Sequence, residues 1–163
     1  MEQAQREKIE SLYFEMFDKL MAYARCCLEN EALAEEAVQE TFQIACQKPD
    51  SLCSSPNPQG WLVNTLRYTI RNIQSRRASA KQILERYIIS QNGELTCTND
   101  RLSLELLYEN VAELEEFKLI AEMALEGKSH AEMAAQRGIT VSACKKRVQR
   151  AKETLQKKLK KDL

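Results

Sequence analysis

Residues 129–141 decide the fold, and they read Ser129-His130-Ala131-Glu132-Met133-Ala134-Ala135-Gln136-Arg137-Gly138-Ile139-Thr140-Val141. Ser129 followed three residues later by Glu132 fits a capping box, in which the two side chains satisfy backbone amides of the first helical turn. Gly138 can adopt the positive φ that ends a helix in a tight turn. Thr140 can cap a second helix that begins near Val141. A short helix, a glycine turn and a second helix predict a helix-turn-helix.

The second helix has an apolar face and a cationic face when its residues are placed at 100° steps. The inward positions are Val141, Cys144, Val148, Ala151 and Leu155. The outward positions are Ser142, Ala143, Lys146, Gln149 and Arg150, with Lys145 and Arg147 at the margins. Small residues at the helix start allow close approach to base edges, and cations at the margins can hold phosphates beside a major groove. This face predicts DNA binding, with a solvated basic helix end as the alternative.

The charge of the chain is balanced in total and polarised along its length. The 163 residues contain 24 basic and 24 acidic side chains. Residues 137–163 contain ten basic and two acidic side chains, a net charge of +8, whereas residues 1–77 and 78–109 each carry a net charge of −2. Because counterion release depends on local charge, the C-terminal segment suits phosphate contact although the whole chain is neutral.

The composition predicts an all-α protein. Charged residues make up 29% of the chain and aromatic residues 6%, and only four Gly and three Pro punctuate it. Helix-forming residues dominate, which excludes a β-sandwich. No apolar run approaches the roughly 18 residues needed to span a bilayer, and the first residues lack an apolar signal segment. We therefore expect a soluble, cytoplasmic protein without membrane insertion.

The cysteines and the single histidine do not predict a metal site, a cofactor or catalysis. Six cysteines form no C-x-x-C pair, and His130 is alone in the chain. We expect reduced thiols that act mostly as small core residues, with a redox role for Cys26-Cys27 as the alternative. His130 is expected to be an exposed residue of a helical first turn. Phosphate-binding glycine loops, H-E-x-x-H and G-x-S-x-G are absent from the sequence, so we do not expect an enzyme.

Apolar periodicity predicts two small helical domains joined by a flexible linker. We place the domains at residues 1–89 and 110–163 and the linker at 90–109, where residues 90–100 have no apolar period and collect turn formers. A first helix ends before Glu29-Asn30-Glu31, and a second runs from about Ala32 to Lys48-Pro49, where proline stops it. The second helix should present Glu36, Gln39, Glu40 and Gln43 on its outer face.

A loop and a third helix complete the first domain. Residues 49–60 hold all three prolines and are expected to form a loop, after which Trp61 opens a helix. Leu62, Leu66, Thr69 and Ile73 are predicted to be buried, and Leu114, Phe117, Ala121, Ala124 and Leu125 are predicted to face inward on a later helix that Gly127 ends. The opposite face of the third helix is cationic, with Asn64, Arg67 and Arg71 followed by Arg76-Arg77.

Two stretches resemble extracytoplasmic-function (ECF) sigma factors. Residues 127–134 together with 138–151, including Val141-Ser142-Ala143-Cys144-Lys145-Lys146-Arg147, resemble the region 4 helix-turn-helix of that family. Two further segments are similar to the region 2 pattern of the family. They are Leu33-Ala34-Glu35-Glu36-Ala37-Val38-Gln39-Glu40-Thr41-Phe42 and Trp61-Leu62 with Arg67 and Arg76-Arg77. Both modules occur in the family's order, so the resemblance covers nearly the whole chain.

The resemblance implies a role in transcription initiation. Core RNA polymerase would be bound through its β′ clamp helices by Glu36, Gln39 and Glu40, and through its β flap by region 4. The promoter −10 element would be bound by Asn64, Arg67, Arg71, Arg76 and Arg77, with a flipped base captured near residues 54–60. The −35 duplex would be bound by Lys146, Arg147 and Arg150, supported by Ser142, Lys145 and Gln149. An anti-sigma factor is a further partner class that the resemblance implies.

The sequence departs from the family pattern in three places. Tyr68 and Asn72 stand where the family commonly has Asn and Asp, so we expect altered −10 contacts. Ala143-Cys144 replaces a common Thr-Val, and Glu113-Leu114-Glu115 replaces the usual Leu-Pro that precedes region 4. The main alternative is a helix-turn-helix regulator whose first domain senses a signal or dimerises. A structural interaction protein is the third class, and it would not bind duplex DNA.

Overall fold

The computed structural model describes residues 1–92 and 115–161, and every regular element within these ranges is an α-helix. In chain order the helices are α1 (Gln3–Cys27), α2 (Glu31–Gln47), α3 (Pro49–Cys53), α4 (Pro58–Asn92), α5 (Glu115–Ala124), α6 (His130–Arg137) and α7 (Val141–Lys161). The predicted all-α class, with a helix-turn-helix in its C-terminal part, is confirmed.

The chain divides into two compact units, Met1–Ser75 and Arg76–Leu163, and the division lies inside α4. Residues 76–92 of α4 therefore belong to the second unit. Of the predicted linker, residues 90–92 are the last residues of α4, and residues 93–109 lie outside the described residues. The division of functions between residues 1–89 and 110–163 stays a prediction.

Local hydrogen bonds set the helix boundaries in the first unit. The side chain of Asn30 caps α2 by accepting from the amides of Ala32 at 2.8 Å and Leu33 at 3.3 Å. This cap explains why the chain breaks between α1 and α2 where the sequence predicted it. A proline at position 49 ends α2 and, at the same time, starts α3, because its missing amide proton is not needed in a first turn.

Residues 49–60 contain helix where the sequence predicted a loop. They contain α3, and α4 begins at Pro58, three residues before Trp61. Asn57 caps α4 by accepting from the amide of Gly60 at 2.9 Å. A Cβ on Gly60 would come within 2.5 Å of the Asn57 side chain, so glycine is needed for this close approach. Pro49 and Pro58, which were interpreted as loop formers, are here first-turn residues of helices, whereas Pro56 lies between α3 and α4.

The core of the first unit is built from α1, α2, α3 and α4. The predicted inner residues of α4, Leu62, Leu66, Thr69 and Ile73, are buried, and Leu52 of α3 is fully buried in the same core. On α1 the apolar residues of one face are buried, whereas Tyr13 is 40% exposed. The main core residues are Ile9, Leu12, Met16, Leu20, Leu33, Val38, Leu52, Leu62, Leu66, Ile70 and Ile73.

The second unit has a core of its own. The end of α4 contributes Ala80, Ile83, Leu84 and Tyr87, which pack with α5, α6 and α7. The residues from the last three helices include Phe117, Ile120, Ala121, Met123, Met133, Ala134, Cys144, Val148, Ala151 and Leu155. Tyr87 and Phe117 place their ring centroids 6.0 Å apart. The second hydrophobic cluster therefore positions the helix-turn-helix.

Three predictions about exposure in the second unit are wrong. His130 is only 8% exposed, because the segment that leads into α6 is itself buried, with Ser129 at 1%. Val141 is 41% exposed, since it is the first residue of α7 and lies next to the turn. Leu125 is 40% exposed. Because α5 ends at Ala124, the helical periodicity that predicted an inward position does not apply to Leu125. Leu114 lies outside the described residues.

Candidate nucleic-acid interface

The start of α6 has the predicted capping box. The hydroxyl of Ser129 accepts from the amide of Glu132 at 3.1 Å, and the amide of Ser129 donates to the Glu132 carboxylate at 2.9 Å. Two backbone groups that a helix start leaves unpaired are thereby satisfied. Because Ser129 is buried, these groups have little access to water, and the cap determines where α6 begins.

The turn between α6 and α7 is a glycine turn of the Schellman type. Gly138 has φ 62° and ψ 33°, the left-handed region that an L side chain rarely adopts. Its amide donates to the carbonyl of Ala135 at 3.3 Å, and the amide of Ile139 donates to the carbonyl of Ala134 at 3.1 Å. The hydroxyl of Thr140 then accepts from the amide of Ala143 at 3.2 Å. The predicted glycine turn and threonine cap are both confirmed.

A buried ion pair joins α6 to α5. Arg137 donates from its two terminal nitrogens to the two carboxylate oxygens of Glu122, at 3.0 Å each. This hydrogen bonding raises the pKa of Arg137 above its usual range. The Nζ of Lys128 lies 2.9 Å from Oε2 of Glu126 and 3.9 Å from Oε2 of Glu122. Arg137, which the charge count places in the basic segment, is thus paired within the fold.

The outward face of α7 carries the predicted −35 residues. Ser142, Lys146, Arg147, Gln149 and Arg150 are exposed, and Lys145 is half-buried. On the opposite face Cys144, Val148, Ala151 and Leu155 are buried, as predicted. Gln149 donates to the Glu153 carboxylate at 3.0 Å. The geometry therefore presents a cationic strip backed by a rigid apolar core, which is the arrangement that a recognition helix requires.

Arg76 and Arg77 lie in the second unit and are half-buried. Lys152 of α7 donates to the carbonyl of Arg76 at 3.4 Å, and burial together with the nearby Arg76 charge lowers the pKa of Lys152. The Nε of Arg77 is buried and has no hydrogen-bond partner in the described part of the chain. Both arginines belong to the unit that contains α7, whereas the other predicted −10 residues belong to the first unit.

The remaining predicted −10 residues are together on α4 in the first unit. Asn64, Arg67 and Arg71 are exposed and follow one another at three- and four-residue steps. The Nε of Arg67 donates to the hydroxyl of Tyr23 at 3.3 Å, and its guanidinium lies 5.7 Å from the centre of that ring. The contact orients Arg67 and leaves its charge at the surface.

An aromatic-walled pocket of about 430 Å³ lies beside this face. Trp61, Thr65 and Tyr68 follow one another at four- and three-residue steps along α4, and this spacing is the signal from which the pocket could have been predicted. The indole of Trp61 donates to the hydroxyl of Ser51 at 3.2 Å. The pocket is lined by Ile44, Gln47, Lys48, Ser51, Trp61, Asn64, Thr65 and Tyr68, and not by residues 54–60.

The exposed face of α2 includes fewer residues in the structure than the sequence predicted. Glu36 is 8% exposed, so its placement on the outer face is wrong. The buried arc of α2 is wide because α1 and α3 both pack against this helix. Gln39 is exposed and Glu40 is half-buried. The polymerase-binding assignment of all three residues stays a prediction, and the exposed part of that face centres on Gln39.

The cysteines, the metal-ligating side chains and the hydropathy of the helices were the other features relevant to function in the described residues. Among the described cysteines, all of them free thiols, Cys26 and Cys46 are exposed, Cys27 and Cys53 are half-buried, and Cys144 is buried, so the expectation of mostly core cysteines is wrong. Cys97 lies outside the described residues. In residues 1–92 and 115–161, no three His, Cys, Asp or Glu side chains come together as metal ligands. None of the helices described is long and apolar enough to cross a membrane.

Part of the chain matches a known family. Residues 116–155 match the family model described as sigma-70, region 4. The matched segment contains nearly all of α5, the whole of α6 and the first fifteen residues of α7, which is about a quarter of the chain. No curated protein matches the chain significantly. The match supports a sigma factor or a related DNA-binding role in transcription initiation.

Proposed function

From the region 4 match at residues 116–155, we propose that the chain is a sigma factor of the ECF type. It binds core RNA polymerase and directs promoter recognition, DNA melting and transcription initiation. One observation carries this proposal. Within the matched segment, α7 exposes Lys146, Arg147 and Arg150, and it follows the capped helix α6 after a turn at Gly138. The role is recognition, and phosphodiester chemistry belongs to the polymerase.

We assign the −35 duplex to α7. A recognition helix contacts base edges through residues near its start, and here these residues include the exposed Ser142 and the half-buried Ala143. The cations that follow can pair with phosphates on both sides of the major groove. Gln149 supplies an amide that can read an adenine edge. Because Lys145 is half-buried, we assign it a supporting contact and the main contacts to Lys146, Arg147 and Arg150.

We assign the −10 element to the first unit. The exposed Asn64, Arg67 and Arg71 suit a single-stranded backbone, since arginines attract phosphate and stack on bases. The neighbouring pocket of about 430 Å³ has aromatic walls in Trp61 and Tyr68, which suit one unpaired base. Capture of a base outside the duplex would couple recognition to melting. We retain Arg76 and Arg77 as backbone contacts of the same strand.

Polymerase binding is assigned to the exposed part of α2 and to region 4. Gln39 and the half-buried Glu40 would dock on the β′ clamp helices, and the second unit would meet the β flap. An acidic and amide-bearing surface suits a cationic helical partner. Glu36, the third residue of the predicted set, is buried, so the exposed part of this surface centres on Gln39. An anti-sigma factor that covers these surfaces, and action in the cytoplasm beside the polymerase, belong to the same proposal.

The decisive experiment is reconstitution of transcription. The purified chain is added to core RNA polymerase with a library of genomic promoters, and transcript starts are sequenced. We expect promoter-specific starts that depend on the chain, with two shared upstream elements. No specific transcript, while another sigma factor activates the same core enzyme, would reject the proposal. A chain that stimulates only a preassembled holoenzyme would instead be the helix-turn-helix regulator.

Two sets of variants separate the assigned surfaces. Lys146→Ala with Arg150→Ala should weaken binding to −35 duplex and reduce the slope of log affinity against log salt by about 2, because two phosphate contacts are lost. The matched control removes Lys157 and Lys160, which are exposed on the same helix outside the matched segment. Gln39→Ala with Glu40→Ala should weaken core binding and leave duplex binding unchanged.

A further inference from the structure

The surface of α1 carries an aromatic patch, which we define as Tyr13, Phe14 and Phe17. Phe14 is 75% exposed and Tyr13 is 40% exposed, while Phe17 is half-buried. The ring centroid of Tyr13 lies 5.8 Å from that of Phe14 and 5.1 Å from that of Phe17. Phe14 is the most exposed of the large hydrophobic side chains in the described part of the chain.

Packing of the first unit does not explain Phe14. The core stripe of α1 contains Ile9, Leu12, Met16 and Leu20 and is complete without it. Three quarters of this side chain remains in water, where an apolar ring gains nothing from folding. Large aromatic side chains left at a surface are the usual anchors of protein interfaces, because burial on binding recovers their hydrophobic free energy.

The surroundings of Phe14 are acidic. Its neighbours one helical turn away are Glu10, Ser11, Phe17 and Asp18, and the two carboxylates are exposed on either side of the ring. No cation occupies any of these four positions. An apolar anchor between two carboxylates fits a partner that presents an apolar side chain flanked by Lys or Arg. A basic amphipathic helix has this pattern.

The aromatic patch is continuous with the surface assigned to polymerase docking. The ring centroid of Tyr13 lies 4.8 Å from that of Phe42 on α2. Phe42 lies one helical turn after Gln39, so the exposed amide and the aromatic rings lie along adjacent parts of one surface. Because Glu36 is buried, the exposed surface available for docking extends from Gln39 toward α1.

We propose that the aromatic patch is the apolar anchor of polymerase docking, in which Phe14 contacts a basic amphipathic helix of core RNA polymerase and Glu10 and Asp18 pair with its cations. This inference rests on the proposed function. It adds α1 to a surface that the sequence placed on α2 alone, and it makes Phe14 the energetically dominant residue of the first unit for core binding.

The test measures the affinity of the labelled full chain for core RNA polymerase. Phe14→Gln removes the ring, keeps a good helix former and should raise the Kd at least about tenfold, as expected for an aromatic hot spot. The matched control is Cys26→Gln, an exposed residue near the end of the same helix and outside every assigned surface, which should change the Kd less than about twofold. Asp18→Lys should raise the Kd and weaken its salt dependence.

The outcomes distinguish this inference from the proposed function. If Phe14→Gln binds core polymerase like the Cys26→Gln control while Gln39→Ala with Glu40→Ala weakens binding, the anchor is rejected and the sigma function stands. If the unaltered chain does not bind core polymerase, both are rejected. If sedimentation shows that Phe14→Gln abolishes a dimer of this chain without changing core binding, the patch is a self-association surface and the inference is overturned.

Discussion

Gly138 shows how one residue sets the geometry of the DNA-binding unit. Its φ of 62° turns the chain between α6 and α7 within a single residue. In the described residues, positive φ occurs only at Gly138 and Gly127. A Cβ added at Gly138 would meet nothing within 4 Å. The requirement for glycine is therefore a backbone requirement and does not come from steric crowding.

Replacing Gly138 with alanine should destabilise the second unit by about 1 kcal/mol, because alanine pays the cost of the left-handed conformation. Gly138→Asn should cost less, since asparagine tolerates this region better. Urea unfolding followed by far-UV circular dichroism measures both values. Gln156→Ala, at an exposed position of α7, is the control and should be nearly neutral. Equal stability of Gly138→Ala and the control would contradict the backbone argument.

At the scale of the helix, the ion pair between Arg137 and Glu122 holds α6 against α5. The two side chains are 17% and 16% exposed, so their attraction is less screened than that of a surface pair. By contrast, Arg25 and Glu31 in the first unit form a pair whose side chains are more than half exposed. We attribute a structural role only to the buried pair, because exposed pairs contribute little to folding.

Removal of the Arg137 charge should loosen the helix-turn-helix. Arg137→Gln should destabilise the second unit by roughly 1–3 kcal/mol, because it leaves the Glu122 carboxylate largely buried without its bidentate partner. A double-mutant cycle with Glu122→Gln measures the coupling by urea unfolding. We expect the double variant to be more stable than the sum of the two single effects implies. Additive effects would show that the pair does not hold α6.

At the scale of the whole molecule, the described residues form two hydrophobic cores, one in each unit. Leu66 belongs to the core of the first unit and Leu155 to that of the second, and both are fully buried. The chain has one tryptophan, Trp61, and it lies in the first unit. Tryptophan fluorescence therefore reports unfolding of the first unit, whereas far-UV circular dichroism reports the helices of both.

Two cavity-forming substitutions should affect different transitions. Leu155→Ala should cost about 2–5 kcal/mol in the second unit and lower the circular dichroism midpoint, while the midpoint of Trp61 fluorescence stays unchanged. Leu66→Ala should cost a similar amount and lower the fluorescence midpoint. Urea titrations of each variant with both probes measure this. A Leu155→Ala variant that lowers the fluorescence midpoint as far as Leu66→Ala does would show one cooperative unit.

The signals within a few residues of sequence were the most predictive. The Ser129 capping box, the Gly138 turn and the Thr140 cap each depend on hydrogen bonds that span at most five residues, and all three are confirmed. Pro49 and Pro58 misled the prediction, because proline fits a first helical turn as well as a loop. The predicted contacts of the −10, −35 and polymerase surfaces stay predictions.

The sequence by itself determined the all-α class, the caps and the helix-turn-helix, because amphipathic spacing and capping are local. Only the tertiary structure decided which side chains reach the surface. It buries Glu36, pairs Arg137 with Glu122 and leaves Phe14 in water. Each of these depends on which helix packs against a given face, and helical periodicity carries no information about the packing partner.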